Sequence, residues 1–277
     1  MKSPLFSCVV SVKGARPYLA EALSSLEAQG MGDDLEVIVQ DGDVETDSGQ
    51  SDALNKGFAK AKGEWLFWLN ADDVLLPGAL KKVLSRVEGE RWRDESESGS
   101  SDSCATNHES RTTSHEPRLN WLAGDTVYID EAGKACEVRC DAKWRPWFGK
   151  KLSVWTGGPS AFFRRELWEM RGGFAAGLKY AMDIDLWTRW AKAGERFVGL
   201  GDYVWGFRMH DESKTGSGRF AAEQAKELAA IDARYGVSTM GFWRDLTRIA
   251  SLLDGTWSKR RRDSKKMRGR ELVSCKL

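Results

Sequence analysis

Over its first 90 residues the chain alternates three times between short apolar or β-branched runs and segments with helical spacing. That βαβαβα order restricts it to an α/β fold built on a parallel sheet. Leu5–Val12 predicts a buried strand, and Pro17–Gln29 a helix with Leu19, Ala22, Leu23 and Leu26 on one face. Leu35–Val39 predicts the second strand. Asp52–Lys62 predicts the second helix, with Asp52 in its first turn and Gly63 as its stop. Glu64–Leu69 and Pro77–Val87 complete the third pair, with proline near the helix start.

The pattern then breaks. Arg91–Pro117 contains SESGSSDS and few apolar residues, which predicts an insertion that cannot form a core. Past Asn120, Trp121–Ile129 and Ala135–Arg139 predict a hairpin about Asp130–Lys134. Ser160–Arg164 predicts a short strand, followed by a helix near Glu166–Met170. Asp183–Ala193 predicts a helix that puts Ile184, Trp187, Trp190 and Ala191 on one face. Two late strands are expected at Arg196–Leu200 and Tyr203–Met209, then a helix at Ala221–Tyr235 and an amphipathic helix at Gly241–Leu253. The expected organisation is one domain over 1–235, comprising a first half (1–90), a disordered insertion (91–118) and a second half (119–235). An amphipathic helix and basic tail over 236–277 follow it.

Composition narrows the class. Hydrophobic residues at 41% and charged residues at 30% are ordinary for a soluble globular chain. No run approaches the roughly 18 apolar residues of a membrane span. The N-terminal MKSPLFSCVVSVKG reads as a strand and not as a signal peptide. Five cysteines, an odd number without framework spacing, fit a reducing compartment. A cytoplasmic location is therefore expected, with peripheral contact at the inner face of a membrane. Thirteen tryptophans serve either as core or as stacking platforms for sugar rings. The last 19 residues hold nine Lys/Arg and two Asp/Glu in a chain of net charge +1, so the body is acidic. Lys259–Arg270 directly follows the amphipathic segment, a pairing that suits an anionic membrane surface. The same basic tail could bind nucleic acid, although an acidic body argues against a specific one.

Several polar residues fall where chemistry is done. Asp72 and Asp73 follow the third strand, at the edge where open α/β sheets bind ligands. Paired hard oxygens there suit Mg²⁺ or Mn²⁺ together with a diphosphate, and equally suit a cap for the next helix. Asp41 ends the second strand beside Gly42, where it can accept a hydrogen bond from a base or ribose, or simply make a turn. Adjacent strands should bring these acids side by side. Cys136 and Cys140, with Cys104, His108 and His115, form an irregular set that could hold zinc.

Gly49–Leu80, GQSDALNKGFAKAKGEWLFWLNADDVLLPGAL, resembles the signature of family 2 glycosyltransferases of the A-type fold. Gly157–Gly194, GGPSAFFRRELWEMRGGFAAGLKYAMDIDLWTRWAKAG, is similar to the acceptor-side half of the same family. The resemblance covers roughly residues 4–215. It implies a Rossmann-like, mostly parallel central sheet flanked by helices, with a C-terminal helical tail. It implies a hexosyltransferase-type enzyme that moves a sugar, most commonly UDP-linked, to a glycan or glycolipid hydroxyl with inversion, in polysaccharide or cell-envelope synthesis. Asp41 matches the acid that reads the base. Asp52, Asn70 and Asp72 join it as donor-binding residues. Asp72 and Asp73 match the metal-holding acids, His210 a far-strand metal ligand, and Asp183 the catalytic base. A divalent metal neutralises the departing diphosphate, and a carboxylate takes the acceptor's proton. The chain departs from the pattern at Asn70, where the family carries Asp, and at Val10–Gly14 and Met182. These departures keep open a non-catalytic nucleotide- or carbohydrate-binding relative.

Overall fold

The computed structural model describes residues 3–14, 16–98, 118–140, 156–211, 213, 219–238, 252–253 and 255–272. The first half contains β1 (Phe6–Val12), α1 (Leu19–Glu27), β2 (Leu35–Asp41), α2 (Gln50–Lys60), β3 (Trp65–Asn70), β4 (Val74–Leu75) and α3 (Ala79–Ser98). The second contains β5 (Leu119–Ile129), β6 (Ala135–Arg139), β7 (Ala161–Arg164), α4 (Arg165–Arg171), α5 (Met182–Lys192), β8 (Arg196–Arg208) and α6 (Ala221–Tyr235). A last helix, α7, spans Thr256–Met267. None of the described helices is long and apolar enough to cross a membrane.

One sheet runs through both halves in the order β2-β1-β3-β7-β5-β8-β4, with β6 paired to β5. The first three strands are parallel, as the alternation predicts. Strand β7 enters antiparallel to both β3 and β5, so the sheet is mixed beyond the first half. Phe6, Cys8 and Val10 of β1 and Trp65, Phe67 and Leu69 of β3 face one core, under α1 and α3. The alternate residues Val9, Leu66 and Trp68 face the other, under α2 and α5.

Three elements differ from the sequence expectation, the first being the two-residue strand β4, which pairs with β8 and is not anticipated. Helix α3 runs on to Ser98, through the start of the expected insertion. Residues 88–98 are rich in Glu and Arg and lack proline, so helix propensity continues where apolar periodicity stops. The two late strands are one strand, β8, with Gly201 at φ +73° within it and a register shift against β5. The remainder of the insertion, and most of the expected helix 241–253, lie outside the described residues.

Most of the described tryptophans are core. Trp65, Trp68, Trp121, Trp187 and Trp190 are at most 1% exposed. Trp121 and Trp68 stack on Trp187 at 5.0 and 5.9 Å between ring centroids. Such pairs contribute about 0.5–1.5 kcal/mol beyond area burial. The stack fixes α5 against the C-terminal half of β3.

Candidate active site at the C-terminal edge of the sheet

The parallel register sets the site's frame. Val12 pairs with Asp41 and Ser11 with Asn70, so the ends of β2 and β3 flank the end of β1. Asp41, Asn70 and Asp72 therefore lie along one edge. Asp183 lies one helical turn before Trp187 on α5, the helix that the tryptophan stack packs against β3. A methyl group on Gly158 would sit 2.5 Å from Trp68 Cζ2 and 3.1 Å from Asp183 Oδ2. Only glycine allows that approach, which seats the carboxylate beside the Trp68 indole. Asp183 Oδ1 accepts the Ile184 N–H at 2.8 Å, and burial pushes the carboxyl up to about 6.

Asp72 and Asp73 are neighbours with different fates. Asp73 is fully buried, with Oδ1 accepting the Arg208 N–H at 2.8 Å and Oδ2 the Asn70 amide at 2.7 Å. Burial, then the charge of Asp72, pushes its carboxyl well above the usual range. Asp72 stays partly exposed, and its Oδ2 lies 2.8 Å from His210 Nε2. Asp72 and His210 thus offer one oxygen and one nitrogen to a cation, while both Asp73 oxygens are committed to the protein. Among the described residues no three His, Cys, Asp or Glu side chains form a metal cluster. The pair fits a hard cation that completes its shell with diphosphate and water oxygens. For the zinc set, residues 104, 108 and 115 lie outside the described residues. Cys140 contacts Tyr203 Oη at 3.1 Å, and Cys136 Sγ reaches the Lys134 carbonyl.

The other predicted residues are already partnered. Arg16 holds Asp41 with two hydrogen bonds, at 2.7 and 2.9 Å, and reaches Asp43 at 2.7 Å. Asn70 accepts from Gln50 at 2.9 Å while donating to Asp73, so it ties α2 to the acidic motif. Asp52 accepts the Ser48 N–H and pairs with Lys56, which together lower its pKa.

Sequence reasoning missed four residues that wire the site. Arg208 is 0% exposed. It donates to the carbonyls of Asp72, Asp130 and Glu131, pairs with Glu21 at 2.7 Å and lies 4.4 Å over the Tyr18 ring. A lone arginine ending an apolar strand was its only signal. Glu227 of α6 accepts three successive backbone N–H groups, from Lys179, Tyr180 and Ala181, each at 2.9 Å. That cradle holds the segment leading into Asp183. Asn55 exchanges two 2.9 Å bonds with the backbone of Phe174, and Ser51 donates to the Leu178 carbonyl. The polar face of the Gln-Ser-x-x-x-Asn segment thus clamps the two halves together. A cavity of about 480 Å³, lined by Phe58, Ala61, Arg165 and Trp168 among others, lies at the opposite end of α2, away from these acids.

Residues 43–94 match the family described as glycosyl transferase family 2. No curated protein matches the chain by sequence. Among solved structures, TarS of S. aureus (residues 1–349) in complex with UDP-GlcNAc is similar, with a TM-score of 0.56 at 16% identity. The match covers 82% of this chain and 65% of that one. The same TarS segment in complex with UDP matches with a TM-score of 0.52 at 18% identity, over 75% of this chain and 61% of that one. The mannosyltransferase PcManGT from Pyrobaculum calidifontis, in complex with GDP-Man and Mn²⁺, has a TM-score of 0.52 at 18% identity, over 84% and 64%. The chain spans less than two thirds of each of these solved chains. The chain thus has the fold of the A-type glycosyltransferases and carries, over residues 43–94, a segment similar to glycosyl transferase family 2.

Proposed function

We propose that the chain is a metal-assisted glycosyltransferase that moves a hexose from a nucleoside diphosphate to an acceptor hydroxyl with inversion. The observation that carries this reading is Asp183. It is a carboxyl raised to about 6, held beside Trp68 of β3, the strand that leads into Asp72. A general base works best with a pKa near the operating pH. In this reading Asp183 takes the proton of the attacking hydroxyl as the sugar's anomeric carbon leaves the diphosphate. Asp72 and His210 would hold Mn²⁺ or Mg²⁺, whose chemistry there is to neutralise diphosphate charge. Asp73, Asn70 and Arg208 position Asp72 without touching the ligand. Asp41 and Asp52 are assigned to the nucleoside side, where Arg16 must yield Asp41 for it to reach a base. The domain is taken as 1–235, with 236–277 as an appended segment.

A UDP-linked donor is favoured by the complexes with UDP and UDP-GlcNAc among similar folds, and GDP-Man by the third. A glycan or glycolipid acceptor, and a place in polysaccharide or envelope synthesis at the cytoplasmic side, complete the reading. The test is donor turnover with a panel of UDP- and GDP-sugars in Mn²⁺. The expected result is hydrolysis or transfer from one donor class, abolished in Asp72→Ala and Asp183→Asn. Donor binding without turnover across the panel would instead establish a non-catalytic nucleotide-binding relative. The Asn70 amide, engaged by Gln50 and Asp73, favours that second reading.

A further inference from the structure

Helix α7 has two unlike faces. Its inner face is fastened to the sheet. Lys259 pairs with Asp125 at 2.8 Å and lies over the Tyr203 ring, Tyr203 donates to Asp263, and Ser264 accepts the Val138 N–H. Arg260 pairs with Glu137 and donates to the Val138 carbonyl. The outward arc carries Arg261, Arg262, Lys265 and Lys266, all exposed, and Arg268 and Arg270 continue it. The acids of this segment are placed elsewhere: Asp263 faces inward, and Glu271 lies on the bridge to Lys134. None of the four outward helix cations forms an ion pair with a described carboxylate. At the start of the same arc, Trp257 is 47% exposed beneath Arg261, and Leu252 and Leu253 just before it are 54% and 84% exposed.

We propose that this outward face of α7, with Leu252, Leu253 and Trp257, docks the protein on an anionic lipid surface. Cations at the headgroup level and apolar side chains entering the acyl boundary are the two components of interfacial binding. The inner-face contacts hold the cations in place beforehand, so little ordering cost remains. Nucleic acid would satisfy the cations but leave the two leucines without a partner. The segment after α7 also reaches the Asp130–Lys134 turn, where the Leu272 N–H donates to the Gly133 carbonyl. That turn supplies two carbonyls to Arg208, which also donates to the Asp72 carbonyl. The surface is independent of the transferase reading, because its measurement needs no turnover.

The test is cosedimentation of the full chain with phosphatidylcholine vesicles, with and without phosphatidylglycerol. Binding should require phosphatidylglycerol and weaken as salt rises. The triple variant Arg261→Gln, Arg262→Gln, Lys265→Gln should lose about 100-fold in partitioning, roughly fivefold per cation. Leu253→Ala with Trp257→Ala should remove the fraction that remains at high salt. Lys62→Gln, Lys81→Gln, Lys226→Gln removes equal charge elsewhere and should bind as the parent does, with melting curves checking that each variant folds. Binding without anionic preference, an equal loss in the control variant, or RNA binding tighter than vesicle binding with the same variant sensitivity would overturn the proposal.

Discussion

Burial lifts the Asp183 carboxyl from an ordinary 3.8 to about 6, with opposite consequences for turnover and stability. As a base it must be ionised, so kcat/KM should rise tenfold per pH unit below about 6 and level off above it. For stability, the folded chain holds this proton between pH 4 and 6 while the unfolded chain has lost it. Stability therefore falls as pH rises across that window and stays lowered above it. Asp183→Asn keeps the oxygen that accepts the Ile184 N–H and removes the desolvated charge. It should abolish transfer while stabilising the fold at neutral pH by at most about 3 kcal/mol, read as a raised Tm. Arg16 presents a different balance. It is exposed, and its pairing with Asp41 and Asp43 is screened by salt. Arg16→Ala should tighten donor binding if the base must reach Asp41, and the difference from the parent should shrink at high ionic strength in a titration with nucleotide.

At the scale of elements, α5 and the segment before it decide where Asp183 points. Glu227→Gln leaves one neutral oxygen where a carboxylate now serves three N–H groups. It should lower kcat more than it changes KM, and leave the pKa seen in the rate profile near that of the parent. Trp187→Ala removes the ring on which Trp68 and Trp121 stack, and should destabilise by about 3–5 kcal/mol in denaturant titration. The elements themselves are legible in the sequence. Alternating apolar runs and helical spacing gave β1, α1, β2, α2, β3 and α3 in order but not the short β4 between the last two, and Ile184, Trp187 and Trp190 gave the buried face of α5. Boundaries slip where one signal ends before another, as in α3, and where a glycine bends a strand without ending it, as in β8. The wiring is not legible. Arg208 reaches Asp72 across 136 positions, and Glu227 reaches Tyr180 across 47. Which member of Asp72-Asp73 turns inward depends on the backbone of β8, which the pair itself does not encode.

For the whole molecule, the two halves share one sheet and are clamped by Asn55 and Ser51, so they have no separate cores to melt apart. Unfolding should be a single transition, with tryptophan fluorescence and far-ultraviolet dichroism coinciding. The C-terminal segment contributes to that unity in a way its charge conceals. On its outer side, β6 has Val138 N–H and carbonyl bonded by Ser264 and Arg260, the Cys136 carbonyl by Arg268, and Ala135 by Gly269 and Arg270. An otherwise bare strand margin, the kind that recruits other chains, is closed by residues that follow it by more than a hundred positions. A nascent chain therefore passes through a stage in which this margin is complete but unguarded. Halting synthesis after residue 255 would freeze that stage, and the expected product is a self-associating species, visible as light scattering that the chain with α7 lacks.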